Sequence, residues 1–225
     1  MPGLPHSSYR QQHIMLLYRD DAERTGAIAS YIRDGLKGNQ LCIYASGRSA
    51  DKRHMSSLSS QVPGYGENAR KGNLIVIDFH PFYESALQGD LAPFSHLKDR
   101  LEKMLQEYTS AGKGDKMLVV ADAADRLSGG GHFDQCVALE SWWHGAHAEW
   151  MANNQNITVV CPHPGQVLCE QSAVQSKICS AHSLTINLQR HIVSQKATPI
   201  RILIAEPEPD SLSAMPGLAW AADRS

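Results

Sequence analysis

The sequence has no run of apolar residues near the roughly 18 that a bilayer-crossing helix needs. Its opening, MPGLPHSSYRQQ, is short and polar and lacks the apolar centre of a signal peptide. It has no basic surplus: the formal charge is −2, unlike a chain that grips nucleic acid through concentrated Lys and Arg. It has no paired-cysteine framework. The five cysteines (Cys42, Cys136, Cys161, Cys169 and Cys179) are odd in number, and three fall in or beside apolar segments, where a reduced thiol acts as a small apolar side chain. Internal repeats, low-complexity tracts and a nucleophile elbow are also missing. These absences predict a cytoplasmic chain that does not enter a membrane and makes no direct nucleic-acid contact. Apolar residues at 42% and charged residues at 20% are enough for an ordinary packed core.

What is present is organised around His13 to Ala45. An apolar run, His13 to Tyr18, is of strand length, and Ile28, Ile32 and Leu36 follow at i, i+4, i+8. That spacing predicts a helix over about 21–36, closed near Gly35 and Gly38. A second apolar run, Leu41 to Ala45, completes a βαβ unit whose strands are expected to be parallel neighbours. A nucleotide-binding protein keeps its phosphate loop at this point, but the turn here is Tyr18-Arg19-Asp20-Asp21-Ala22-Glu23-Arg24-Thr25. There is no glycine cradle and no Lys-Ser/Thr pair, and three carboxylates would repel a triphosphate. Acidic residues in a first helical turn also have a plain role, complementing the helix dipole.

Further along, a short helix is expected near 51–60, followed by the loop VPGYGENARKG. A strand over 74–78 comes next, then an irregular aromatic stretch over 80–93 and a long helix through Leu97, Leu101, Met104, Leu105 and Tyr108. A fourth strand over 117–121 leads into Asp122 and the loop AADRLSGGGHF, whose glycines read as a flexible connection. A helix over about 134–153 follows, with Asp134 as its N-cap. After it come a strand over 157–161, a Pro162-His163-Pro164 turn, a helix over 165–179 and a short strand over 184–186. Strands alternating with helices predict an α/β fold with a mostly parallel, doubly wound sheet.

The order of these elements resembles the MEDS sensory domain, named for methanogen and methylotroph proteins and the regulator DcmR. His13, Tyr18, Asp20, Asp21, Gly35, Leu36 and Tyr44 follow that family's opening pattern. GGHFD, Leu139-Glu140 with Trp143, and ITVVCPHP are similar to its later signatures. Two positions depart: Ser183 follows His182 where the family usually has Pro, and Ala121-Asp122 stands where relatives often carry Gly-Glu. The resemblance covers about 13–187. It implies a RecA/KaiC-like three-layer α/β/α architecture with a degenerate phosphate loop, and a sensory or ligand-binding role in signalling and transcription control, for small organic ligands. The later segment IRILIAEPEPD resembles the first strand and acidic turn of a response-regulator receiver domain. The expected organisation is a disordered lead-in over 1–12, a sensory domain over 13–187, a linker over 188–199 and a receiver-like fragment over 200–225.

The helix over 134–153 carries the least ordinary chemistry. On a helical wheel Cys136, Leu139, Trp143 and Trp150 cluster, Glu140 and His147 fall among them, and His144 lies at the edge. A carboxylate on an apolar face needs a partner. Glu140 is therefore either part of a buried structural network or the polar anchor of an aromatic-walled ligand pocket. Glu140, His144, His147, Cys161 and His163 are all metal-ligand types, but their spacing matches no zinc pattern, so no metal and no cofactor is expected. The aspartates ending strands, Asp78 and Asp122, read as loop caps. Phe79, Phe82, Tyr83 and Phe94 form an aromatic group that is either core or a lid.

The sequence thus predicts a non-catalytic sensory domain whose small-molecule ligand contacts Tyr18, Asp122, Glu140, Trp143, His147 and His163. Its protein partner would be a histidine kinase or regulator, with a homodimer as an open option. The alternatives are a degenerate RecA/KaiC-like ATPase with residual nucleotide binding, and a pure protein-docking module of a two-component pathway.

Overall fold

The computed structural model describes residues 12–188 and the backbone of 192–195. In chain order the elements are β1 (His13–Tyr18), α1 (Asp21–Lys37), β2 (Leu41–Ser46), α2 (Lys52–Gln61), α3 (Tyr65–Arg70), β3 (Leu74–Asp78), α4 (His80–Leu87) and α5 (Ala92–Ser110). Then follow β4 (Lys116–Ala121), α6 (Ala123–Gly129), α7 (Phe133–Ala152), β5 (Asn156–Pro164), α8 (Gly165–Cys169), α9 (Ser172–Ala181), β6 (Leu184–Asn187) and β7 (Ile192–Gln195). The sheet order is β3-β2-β4-β5-β1-β6-β7. Every pairing from β3 to β6 is parallel, and only β7 joins antiparallel. The α/β class with a mostly parallel sheet is as expected.

Alternate strand residues face two cores, as the pleat requires. Ile14 and Leu16 of β1 and Cys42 and Tyr44 of β2 pack with Ile28 and Ile32 of α1 and Leu58 of α2 on one face. Met15, Leu17, Ile43, Val119 and Cys161 pack with α5, α6, α7 and α9 on the other. Helices on both faces of a parallel sheet make three layers.

Helix α1 begins where the acidic turn predicts. The Asp20 side chain caps it by accepting from Glu23 N at 2.9 Å, and Glu23 reaches back to accept from Arg19 N at 2.7 Å. The helix-terminal reading of these carboxylates is therefore observed. Asp78 also caps its loop, accepting from His80 N at 3.1 Å and from Ser49 Oγ at 3.2 Å.

Several expectations are corrected. β1 and β2 are not neighbours; β5 and β4 lie between them. Strands buried on both faces carry no polar alternation, so nothing local tells which one lies beside which. The stretch 80–93 is not irregular: α4 forms with Pro81 in its first turn, where a missing N–H costs nothing. The loop VPGYGENARKG contains α3, and AADRLSGG is mostly α6. The glycines after α6 form a tight helix end, with Gly131 at φ 78°, its N–H on Ser128 O and His132 N on Leu127 O at 2.8 Å. Asp134 lies in the first turn of α7, and His132 is the N-cap.

Pro162-His163-Pro164 does not turn the chain out but continues β5. Prolines are tolerated there because the β4 ladder ends at the Val120–Val160 pair. From that point β5 pairs with β1 alone, Pro162 opposite Leu16 and Pro164 opposite Tyr18. The helix expected over 165–179 is broken into α8 and α9. Of the expected linker, Ile192–Gln195 is strand β7. The lead-in before residue 12 and the receiver-like segment over 200–225 lie outside the described residues.

Cys42 sits fully buried against α1, and burial pushes its thiol up to about 12, whereas Cys169 is exposed. Mass-spectrometric counting after brief alkylation at pH 8 is therefore expected to modify Cys169 in the folded chain. Cys42 is expected to react only after denaturation. Labelling of Cys42 at a rate near that of Cys169 would contradict this packing.

Candidate functional site

Two buried polar clusters lie inside this frame. The first lies where β1 turns into α1, beside the end of β4 and the start of α6. Arg24 continues the stripe of Ile28 and Ile32 on α1, so the helix carries its guanidinium inward, where it is 2% exposed. Its Nε donates to Asp125 at 2.7 Å and its Nη2 to Asp122 at 3.0 Å. Asp122, fully buried at the end of β4, also accepts from Ser46 Oγ at 2.5 Å and from Gly47 N at 2.8 Å. Tyr18 O–H donates to Asp125 at 2.5 Å. Burial opposes the Arg24 charge, but Asp125, Tyr44 and Asp122 outweigh it and hold the group protonated above its ordinary range. Burial pushes the Asp125 carboxyl upward, with Arg24 and Tyr18 pulling against it. The buried Arg24 charge is thus matched by carboxylates of the same chain.

The second cluster surrounds Glu140, which α7 places on its buried stripe with Leu139 and Trp143, fully out of solvent. Three histidines from three other places meet it. His163 Nε2, from β5, lies 3.0 Å from Oε1. His13 Nε2, from the start of β1, lies 3.2 Å from Oε2, and His182 Nε2, at the end of α9, lies 3.1 Å from the same oxygen. Cys161 Sγ is 3.4 Å from His13 Nε2. The His13 and His182 rings stack at 3.9 Å between centroids, and His147 lies 6.2 Å from His13. Burial works against the Glu140 charge, yet His182, His13 and His163 together hold its carboxyl well below the usual range. Four atoms here, from His13, Glu140, Cys161 and His182, lie within 4.8 Å of one another and could hold a cation.

The residues expected to line one ligand site are therefore split. Tyr18 and Asp122 belong to the first cluster, and Glu140, His147 and His163 to the second. Ser128 links them: its hydroxyl lies 3.3 Å from His163 Nδ1 and also donates to the backbone oxygens of Ala124 and Asp125. Trp143 is core, with its ring 5.0 Å from Trp142 and 6.3 Å from Trp150. The aromatic group is core too: Phe79 stacks on Phe82 at 4.8 Å and meets Phe94 edge-on, and Phe79 and Phe94 are fully buried. His144, the nearest helical neighbour of Glu140, is exposed and takes no part.

Sequence reasoning missed Arg24, Asp125 and Ser46 as site residues, and treated His13 and His182 only as family matches. Two signals were available. Arg24 lies four residues before Ile28 on the apolar stripe, and His13 shares its strand face with Met15 and Leu17. Nothing local marks His182.

Among the described residues no helix is long and apolar enough to cross a membrane. No curated protein matches the chain. One family model does, described as "MEDS: MEthanogen/methylotroph, DcmR Sensory domain", over residues 12–182, a span that takes in both clusters. The chain therefore belongs to the MEDS sensory-domain family.

Proposed function

We propose that this chain is a non-catalytic sensor that binds a small organic molecule and passes its state to a signalling partner through protein contacts. The observation that carries this reading is the Arg24–Asp122–Asp125 network. It lies at the turn between β1 and α1 of a three-layer α/β/α scaffold, which on the RecA/KaiC-like reading is where an ATPase would grip phosphate. Its buried cation, Arg24, is held by two internal carboxylates. On the outer turn Arg19 pairs with Asp20 and Arg48 with Asp21 beside Glu23, so the arginines there are already engaged by carboxylates of the same chain. Such a turn disfavours a triphosphate and leaves the carboxyl edge of the sheet, around half-buried Tyr18, for a neutral or weakly polar ligand. A histidine kinase or response regulator is the class of partner that suits this role, and the receiver-like segment after residue 200 suits it too.

The test is thermal unfolding of the full chain against a panel of short-chain organic compounds and, separately, against ATP with magnesium. One compound is expected to raise stability with the logarithm of its concentration, by about 2.7 kcal/mol at a hundredfold excess over its dissociation constant. ATP is expected to leave the melting curve unchanged. A magnesium-dependent rise with ATP would reinstate the nucleotide-binding reading, and a flat response to the whole panel would remove the small-molecule one.

A further inference from the structure

We propose that His13, Glu140, Cys161 and His182 form a binding site for one divalent transition-metal ion of the zinc class. Such a site would form whichever small molecule the domain senses.

The ligands come from four different elements and converge. His13 opens β1, Cys161 lies in β5, Glu140 on α7, and His182 closes α9, and all four are at most 1% exposed. Three of the edges between their inward atoms measure 3.2, 3.1 and 3.4 Å, and none of the separations exceeds 4.8 Å. Metal–ligand bonds of about 2.0–2.3 Å in a tetrahedron imply edges of roughly 3.3–3.8 Å. Closing the set around one ion shortens the longest edge by about 1 Å, within reach of side-chain rotation, while the shorter edges open slightly.

The imidazoles are oriented for it. His13 Nδ1 lies 2.9 Å from Ala181 O, and His182 Nδ1 lies 2.7 Å from Ile178 O. A carbonyl only accepts, so both Nδ1 atoms carry hydrogen. The Nε2 lone pairs therefore turn inward, as in metal-bound histidines whose other nitrogen is anchored to backbone. His163 Nε2, 3.0 Å away, anchors Oε1 of Glu140, which leaves Oε2 facing the centre.

The centre is unsatisfied without a cation. Neither Glu140 Oε2 nor His182 Nε2 has a hydrogen bond of acceptable geometry, although they are 3.1 Å apart and out of solvent. Buried polar atoms are rarely left so. With neutral imidazoles, lone pairs of acceptors face each other, and with one imidazole protonated only one of the two Nε2 atoms gains a donor toward Oε2. With both protonated, two stacked imidazoliums at 3.9 Å would share a single carboxylate.

A divalent cation balances the charge. The Cys161 thiol gives up its proton on coordination, and its thiolate with the Glu140 carboxylate offsets the two positive charges of the ion. One sulfur, two imidazole nitrogens and one carboxylate oxygen suit zinc or a neighbouring first-row ion, whereas magnesium and calcium prefer all-oxygen sites. Four protein ligands in a closed, dry site make it a staple between the sheet and the α7–α9 layer.

The experiment is cobalt(II) titration of the purified full chain after treatment with a chelator, with elemental analysis of the chain as isolated. One equivalent of cobalt is expected to bind with a tetrahedral d–d spectrum and a thiolate charge-transfer band. The band should vanish in Cys161→Ser and persist in Cys169→Ser. His182→Gln should weaken cobalt binding by at least about a hundredfold, beyond the roughly 10–100-fold typical for loss of a supporting group, while His144→Gln should leave it unchanged. Absence of stoichiometric uptake by the wild-type chain, or a charge-transfer band that survives Cys161→Ser, overturns the proposal. If the Cys161 variant does not fold, X-ray absorption of the zinc-loaded wild-type chain decides. One sulfur with three nitrogen or oxygen neighbours supports the site, and any other set rejects it.

Discussion

Replacing Arg24 with methionine is expected to lower the unfolding free energy by about 3–5 kcal/mol, the usual cost of removing one partner from a buried ion pair. The guanidinium is 2% exposed and bridges Asp122 and Asp125, which are buried with it. Methionine fills much of the volume but leaves two carboxylates facing each other without a counter-charge. Urea denaturation measures the effect as a fall in midpoint with little change in slope. The sign with pH follows from Asp125, whose folded-state carboxyl is pushed above its ordinary value by burial while Arg24 pulls it down. Without Arg24 the carboxyl rises further, so its protonated form favours the folded variant. That contribution is present at low pH and is lost as pH rises through the raised value. The deficit of Arg24→Met should thus be smallest in acid and grow toward neutral pH. Adding Asp122→Asn and Asp125→Asn to the same chain should return most of the loss, since a buried ion cluster exchanged as a unit is often near neutral. A single-variant loss below about 1 kcal/mol, the size typical of exposed pairs, would mean that water reaches this network. The carboxyl edge would then be an open polar pocket.

Trp143→Ala is expected to cost about 3–5 kcal/mol, the range for deleting a large aromatic from a packed core. Trp143 is 1% exposed, on the buried face of α7, in edge-on contact with Trp142 and close to Trp150, whose indole N–H is held by Glu102 at 2.8 Å. Calorimetric or denaturant unfolding of the ligand-free chain separates two roles. A core side chain loses stability whether or not any ligand is present, whereas the wall of an open pocket would show a loss of about 1 kcal/mol or less. Trp142→Ala, at a half-buried neighbour, serves as the comparison and should lose less.

The helices and strands that were legible are those with a local period. α1 announces itself through Ile28, Ile32 and Leu36, α5 through Leu97, Leu101 and Leu105, and the central strands through short apolar runs. α3, α4 and α6 escaped because six to eight residues give barely two turns of pattern, and because Pro81 and the glycines after Ser128 read as breakers. Proline at an N-terminus and glycine just past a C-terminus belong to helices as much as to loops. β5 was cut short for the same reason, its prolines being acceptable only because β4 stops pairing at Val120.

For the site, the buried position of Glu140, Trp143 and His147 was legible from the α7 stripe. The stripe did not say what Glu140 meets: its nearest helical neighbour, His144, points to solvent, and its partners His13, His163 and His182 come from β1, β5 and the end of α9. Arg24 was likewise visible as a charge on an apolar face, but its two aspartates were not identifiable from α1.

Sequence alone determined the α/β class, the extent of α1 and α7, the absence of a phosphate-loop motif, and the burial of Glu140 on the α7 stripe. Each of these follows from residues within a few positions of one another, where helical or pleated geometry dictates the face. Tertiary structure decided that β5 and β4 separate β1 from β2, that the expected ligand residues divide between two clusters, and that His13, Glu140, Cys161 and His182 share one point. Those outcomes depend on strand order and on helices crossing a sheet, and no local period in the chain carries that information.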